Sequence, residues 1–181
     1  MKRQMKKVLT TLFVVLFSQF AYAADLENAL SNNLVDELFA TLPGSWHGRA
    51  IETPVGPIEY AMNFHECVVA VVAGVADTGA SLHFWRFWKS DGELRLTFLS
   101  TFRGNQKPTQ LVANQFEENM IWFFAPELAL LTLSITMNEA AINIHVFHHQ
   151  KPHVFIRLTR TDKSMSESER EESEKKSCKK L

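Results

Sequence analysis

The chain has 181 residues, of which 46% are hydrophobic, and its 19 Lys and Arg nearly balance 20 Asp and Glu for a net charge of −1. That length suits one domain with a sizeable core, and a chain without a basic excess offers no electrostatic footprint for nucleic acid.

Lys2, Arg3, Lys6 and Lys7 precede an apolar run over 8–17 and the small-residue stretch "AYAA". A basic start, a short apolar segment and an Ala-X-Ala site predict a signal peptide over 1–23, cut after Ala23. The alternative, an uncleaved anchor helix, needs ~20 apolar residues, more than this run supplies. Removing the four basic residues of the leader from the 19 leaves 15 against 20 acidic ones, so the mature chain carries −5. The expected location is therefore periplasmic or secreted, with no further membrane span. In such a compartment Cys67 and Cys178 can exist either as free thiols or as a disulfide, and the sequence leaves both open.

Between 25 and 41, Leu26, Leu30, Leu34 and Leu38 recur every four residues with Val35 and Phe39 beside them. This is the apolar stripe of a short helix, which Asp25 can cap and Pro43-Gly44 end. Asn32-Asn33 are a place where it can break. From Trp46 onward the hydrophobic period becomes two. Strands are expected over 45–52, 57–64, 67–75, 81–89, 93–102, 109–117, 119–125, 128–137, 140–149 and 153–161. The separators "TPVGP", "DTGA", "SDGE", "RGNQKP" and "QKP" carry turn chemistry. No turn signal separates the second strand from the third around His65–Cys67, so one bent strand is an alternative there. Evenly spaced short strands predict an all-β fold: an up-and-down antiparallel barrel of about 8–10 strands behind a short N-terminal helix, with a two-sheet sandwich as the alternative. The domain spans 24–161. Residues 162–181 hold no aromatic residue and are dense in charge, which predicts a disordered tail or a frayed helix.

Gly44-Ser45-Trp46, placed after a short helix at the start of the first strand, resembles the opening of calycin-superfamily, lipocalin-like barrels. The resemblance implies that Trp46 plugs the closed end and that a basic residue from the end of the last strand packs across it. The last strand offers Arg160 and, as the second choice, Arg157. It further implies that Gly44, Trp46 and Arg160 form the barrel closure. Gly48 fits a bend or the close approach of another backbone. The resemblance covers 25–161 in architecture and only Gly44, Trp46 and Arg160 in motif.

The "SDGE" turn fixes one register. With Asp91-Gly92 at its centre, Ser90 pairs Glu93, Phe87 faces Leu96, Trp85 faces Phe98 and His83 faces Ser100, while Trp88 and Arg86 share the other face with Arg95 and Thr97. The apolar set is assigned to the interior. A last hairpin turning at Gln150-Lys151 pairs Phe147 with Val154 and His145 with Ile156, which points His145 inward. The expected interior wall is Tyr60, Met62, Phe64, His83, Trp85, Phe87, Leu96, Phe98 and His145. Large aromatics with a few polar groups suit a pocket for a small hydrophobic molecule; the same side chains can also simply fill the barrel and leave an interaction module.

"HVFHHQKPH" places four histidines in nine residues. His148 opposite His153 offers a transition-metal pair, and His83 or His145 offers an axial ligand to haem, as in nitrobindin-type barrels that this chain resembles. The reading adopted nonetheless contains no metal and no cofactor. No nucleophile elbow, Cys-X-X-Cys, zincin motif or phosphate loop occurs. The only acid–base pairing on offer is His83 with Glu66, so the expectation is a binding protein and not an enzyme.

Overall fold

The computed structural model describes residues 29–53, 56–68, 70–101, 107–126, 131–161 and 167–179. The leader over 1–23 and the capping position Asp25 lie outside them. A helix, α1, covers 29–41. Ten strands follow: β1 (Gly44–Ile51), β2 (Ile58–Val68), β3 (Val71–Asp77), β4 (Leu82–Ser90), β5 (Glu93–Ser100), β6 (Thr109–Glu117), β7 (Met120–Phe124), β8 (Leu131–Met137), β9 (Ala141–His148) and β10 (Lys151–Arg160). A second helix, α2 (Glu167–Lys179), ends the described chain. Each strand pairs antiparallel with the next, and β1 pairs with β10, so the meander closes into a barrel without an edge. No helix among the described residues is long and apolar enough to cross a membrane.

The period-two pattern decides which side chains enter the barrel. Met62, Phe64, Phe87, Leu96, Ile121, Phe123, Ile135, Ile142 and Ile144 are all fully buried in one cluster. α1 completes that cluster at the end where β1 begins: Leu34, Val35 and Leu38 are buried in it, and Leu30 and Phe39 pack against it. Asn32-Asn33 do not break the helix. Both are exposed, where their polar side chains remain solvated, and Asn32 accepts a hydrogen bond from Lys89 Nζ (3.4 Å).

The seam between β1 and β10 places Trp46 opposite Arg160. The guanidinium carbon lies 4.5 Å from the centre of the indole, within cation–π range. Arg160 Nη1 donates to Pro43 O (3.0 Å) and Nη2 to Thr41 O, while Trp46 Nε1 donates to Leu42 O (2.8 Å). The carbonyls left over at the C-terminus of α1 are thus satisfied by the first and last strands. Gly48 makes the seam possible, because a Cβ there would lie 1.8 Å from Arg157 O.

Three expectations are corrected. First, the β4–β5 register is the predicted one, but the last hairpin is not. Its turn is His149-Gln150, both at positive φ (52° and 61°), and a register shift between Pro152 and Val154 leaves His153 as a bulge. Ile156 therefore pairs Ile144 and Val154 pairs Val146. A one-residue slip exchanges the two faces, so His145 lies outside the barrel. Second, β2 and β3 are separate strands as expected, but their boundary lies elsewhere: β2 continues to Val68 before a tight turn through Ala70, whose φ is +59°. A left-handed alanine costs about 1–2 kcal/mol and leaves no turn signature in the sequence. Third, the tail is not disordered throughout: residues 167–179 form a helix, the other of its two expected states.

α2 packs on the outer face of β2 and β3. The side toward the barrel is made of small polar groups: Ser177 is fully buried, its hydroxyl bonded to Ser173 O (2.9 Å), and Ser173 Oγ meets His65 Nε2 at 2.9 Å. Cys178 is disulfide-bonded to Cys67, which sits at a bulge in β2. Acidic residues early in α2 and lysines late complement the helix dipole.

Two measurements test this architecture. In chemical denaturation, Arg160→Ala should lower stability more than Arg157→Ala, since Arg160 holds the Trp46 ring and the Thr41 and Pro43 carbonyls while Arg157 is exposed on the outer face; the reverse ranking would reject the seam geometry. The disulfide spans 111 residues, and constraining so long a loop is worth ~4–5 kcal/mol in the chain-entropy model. Deleting residues 164–181 should therefore lower Tm by several degrees under oxidising conditions and have little effect once reductant is present. An unchanged Tm in both conditions would show that the bridge holds nothing.

Candidate functional site

Among the described residues no helix covers the end of the barrel opposite Trp46. Large side chains fill the lumen from the closed end upward. Phe64 lies so close across Gly74 that a Cβ on the glycine would be 2.3 Å from its ring, and Phe87 and Phe123 meet edge to face at 6.2 Å. Toward the mouth the inward positions become small, with Ala50 on β1 and Ser100 on β5. There a cavity of ≈ 560 Å³ opens, bounded by β1, β2, β4, β5, β10 and the 78–81 turn.

Its apolar wall includes Ala50, Ile58, Phe98 and Val154. Its polar lining includes Thr53, Glu59, Ser100 and His153, and beside them one connected chain of groups. Tyr60 Oη and His83 Nδ1 share a hydrogen bond; His83 Nε2 meets Ser81 Oγ at 3.0 Å, and Ser81 Oγ meets Thr78 Oγ1 at 3.1 Å. Thr78 Oγ1 also donates to Ser81 O and accepts from Ser81 N, each at 3.0 Å. The turn thus fixes the outer end of the chain. Phe98 sets its edge against the imidazole with centroids 5.5 Å apart. Burial pushes the Tyr60 hydroxyl well above the usual phenol range and holds the His83 imidazolium below the usual histidine value. Both groups are neutral at pH 7.

The expected interior residues divide into three groups. Tyr60, His83 and Phe98 line the cavity. Met62, Phe64, Trp85, Phe87 and Leu96 face inward but form the packed floor and core below it; Trp85 stacks obliquely on Phe98 at 4.8 Å, and its buried Nε1 has no hydrogen-bond partner. His145 belongs to neither. It lies on the outer wall between Phe155 (4.3 Å) and Phe147 (6.2 Å), beside a Trp122–Phe147 contact of 5.6 Å. Ser81 and Thr78 were not expected at the site. The "DTGA" turn signal marked their position, but nothing in the pattern said that the turn folds over the mouth.

The alternative chemistries find little support in the geometry. His148 pairs with Lys151, its ring is 6.1 Å from that of His153, and no three potential metal ligands come together among the described residues. Neither histidine considered for haem is placed to ligate it, as both nitrogens of His83 are already engaged and His145 is outside. Glu66 lies beside Val72 toward the closed end, whereas His83 pairs with Ala76 and Ser100 near the mouth, so they form no acid–base pair.

The displaced titration of His83 has a consequence for stability. An unfolded histidine takes up its proton near pH 6.5, whereas the folded one does so at lower pH. Between these two values the unfolded chain binds more protons, so stability rises with pH there. The contribution is fully present above about 6.5 and is lost as pH falls toward the folded pKa. Denaturant midpoints measured from pH 7.5 down to 5.5 should fall more steeply for the wild type than for His83→Gln; parallel slopes would contradict a buried neutral imidazole.

Comparison with known proteins adds little. No family model and no curated protein matches the chain. Among solved structures it is similar to a redesigned beta barrel, at 12% identity over 68% of this chain and 94% of that chain, with a TM-score of 0.31.

Proposed function

We propose that this chain is a binding protein for a small, mostly hydrophobic molecule held in the cavity at the end opposite Trp46, without catalysis. The observation that carries the reading is the cavity itself. Its ≈ 560 Å³ lies within the ~300–1,000 Å³ of small-molecule sites, and a few convergent polar groups interrupt an apolar wall over a solid floor. Barrel closure by Gly44, Trp46 and Arg160 is what the resemblance to lipocalin-like calycins implies, and it supports placing the chain near that superfamily. The disulfide between Cys67 and Cys178 supports an oxidising location, periplasmic or secreted, as does the leader pattern.

Trp85 lies beneath Phe98 and so next to the cavity, whereas Trp88 is on the outer face with Arg86 5.8 Å from its ring. Titration with long-chain fatty alcohols or fluorescent fatty-acid analogues should change tryptophan emission saturably. The change should persist in Trp88→Phe and largely vanish in Trp85→Phe. Val154→Trp, which puts an indole into the cavity, should abolish binding while the far-UV spectrum stays unchanged. Saturable binding that survives this filling would place the ligand elsewhere and overturn the reading.

A further inference from the structure

The hydrogen-bond chain on the cavity wall has a direction, and the direction restricts what the cavity accepts. The carbonyl of Ser81 can only accept, and Thr78 Oγ1 lies 3.0 Å from it. If the threonine proton goes there, the Ser81 hydroxyl donates to Thr78 Oγ1, and Ser81 Oγ is then open to accept from His83 Nε2–H. A neutral imidazole has one N–H, so Nδ1 is left as a bare acceptor and takes the Tyr60 hydroxyl proton. Every proton in the chain is used. In the opposite direction the threonine would donate to serine, serine to Nε2, and Nδ1–H to Tyr60. The tyrosine proton would then have no protein acceptor, on a side chain only 3% exposed. A buried donor without a partner is the more costly arrangement.

The first direction therefore prevails in the empty cavity, and Tyr60 has only lone pairs to offer an occupant. We propose that the ligand's polar end is a hydrogen-bond donor, of the alcohol class rather than a carboxylate or ester, received by Tyr60 Oη, with His83 and Ser81 as positioning residues that keep the phenol proton turned away. This rests on the binding reading above and narrows its ligand class. An ester or carboxylate oxygen brought to Tyr60 would meet lone pairs. It would have to turn the Ser81 hydroxyl to His83 Nε2 and shift the imidazole proton to Nδ1, giving up the Ser81–Thr78 hydroxyl bond, before it could be received.

Three probes with the same hydrocarbon chain separate these cases: dodecanol, methyl dodecanoate and dodecanoate, each titrated at pH 7.5 against the full mature chain by tryptophan emission and calorimetry. Dodecanol should bind most tightly. Tyr60→Phe should weaken dodecanol by about tenfold, the worth of one hydrogen bond, and leave the ester nearly unchanged. Ser81→Ala keeps the phenol but releases His83 to take either tautomer, so it should narrow the preference for alcohol over ester. Equal affinities for alcohol and ester in the wild type, or a preference that neither substitution alters, would overturn the donor assignment and leave the binding reading in place. Saturable binding by none of the three would overturn the binding reading and this assignment with it.

Discussion

The contact between the first and last strands governs the rest of this molecule. Nine of the ten strand pairings join neighbours in sequence and can form locally, while β1 and β10 must meet across more than a hundred residues. Closing that distance costs loop entropy, and the seam has specific features that offset it. Gly48 removes the Cβ that would strike the Arg157 carbonyl, and Arg160 and Trp46 take up three carbonyls at the end of α1. The helix that covers the closed end is therefore anchored by the same residues that close the wall. With that end plugged, the cavity lies toward the other end of the lumen.

What that end becomes follows from a gradient in side-chain size. Near α1 the inward positions are Phe, Leu, Ile and Met, and they interdigitate as a core does. Gly74 belongs to this packing, because its missing side chain lets the Phe64 ring lie across β3. Farther along the same strands the positions turn to Ala50, Ala76 and Ser100, and the walls no longer meet. One lumen thus contains both a core and a cavity, with Phe98 and Trp85 at the boundary.

How much of this can be read from residues alone depends on whether each turn leaves a chemical signature. Asp91-Gly92 does, and the β4–β5 pairing follows from it residue by residue. His149-Gln150 does not: both residues adopt positive φ without a glycine, and the His153 bulge then shifts the strand by one. Counting outward from "QKP" therefore put His145 in the lumen, when its neighbours are Phe155 and Phe147 on the outer wall. The β2–β3 turn is silent for the same reason at Ala70. α2 escapes a periodicity reading because its barrel-facing side is Ser173 and Ser177, polar residues held down by a disulfide to a cysteine 111 positions earlier. The interior parity of Tyr60, His83 and Phe98 was legible; the hydroxyls that complete the site were not, since a fold-back of the 78–81 turn is a tertiary event.

A polar chain in an apolar cavity needs a physical reason, because unfilled hydrogen-bonding capacity in a desolvated place is costly. Within the chain from Thr78 to Tyr60 the cost is confined to one atom. Thr78, Ser81 and His83 satisfy one another, and the polarity of the chain leaves only the lone pairs of Tyr60 Oη without a protein partner. An unfilled acceptor is more readily tolerated than an unfilled donor, as a carbonyl with one of its two lone pairs free shows throughout folded proteins. On the proposed reading the chain can therefore stand without an occupant at little penalty and still discriminate between ligands. An apolar wall alone distinguishes ligands by about one methylene at a time, whereas a single directed hydrogen bond distinguishes them by functional group. Orientation follows from the proposed mode as well: with its donor end on Tyr60 Oη, a long apolar molecule would lay its tail along Ile58, Phe98 and Val154.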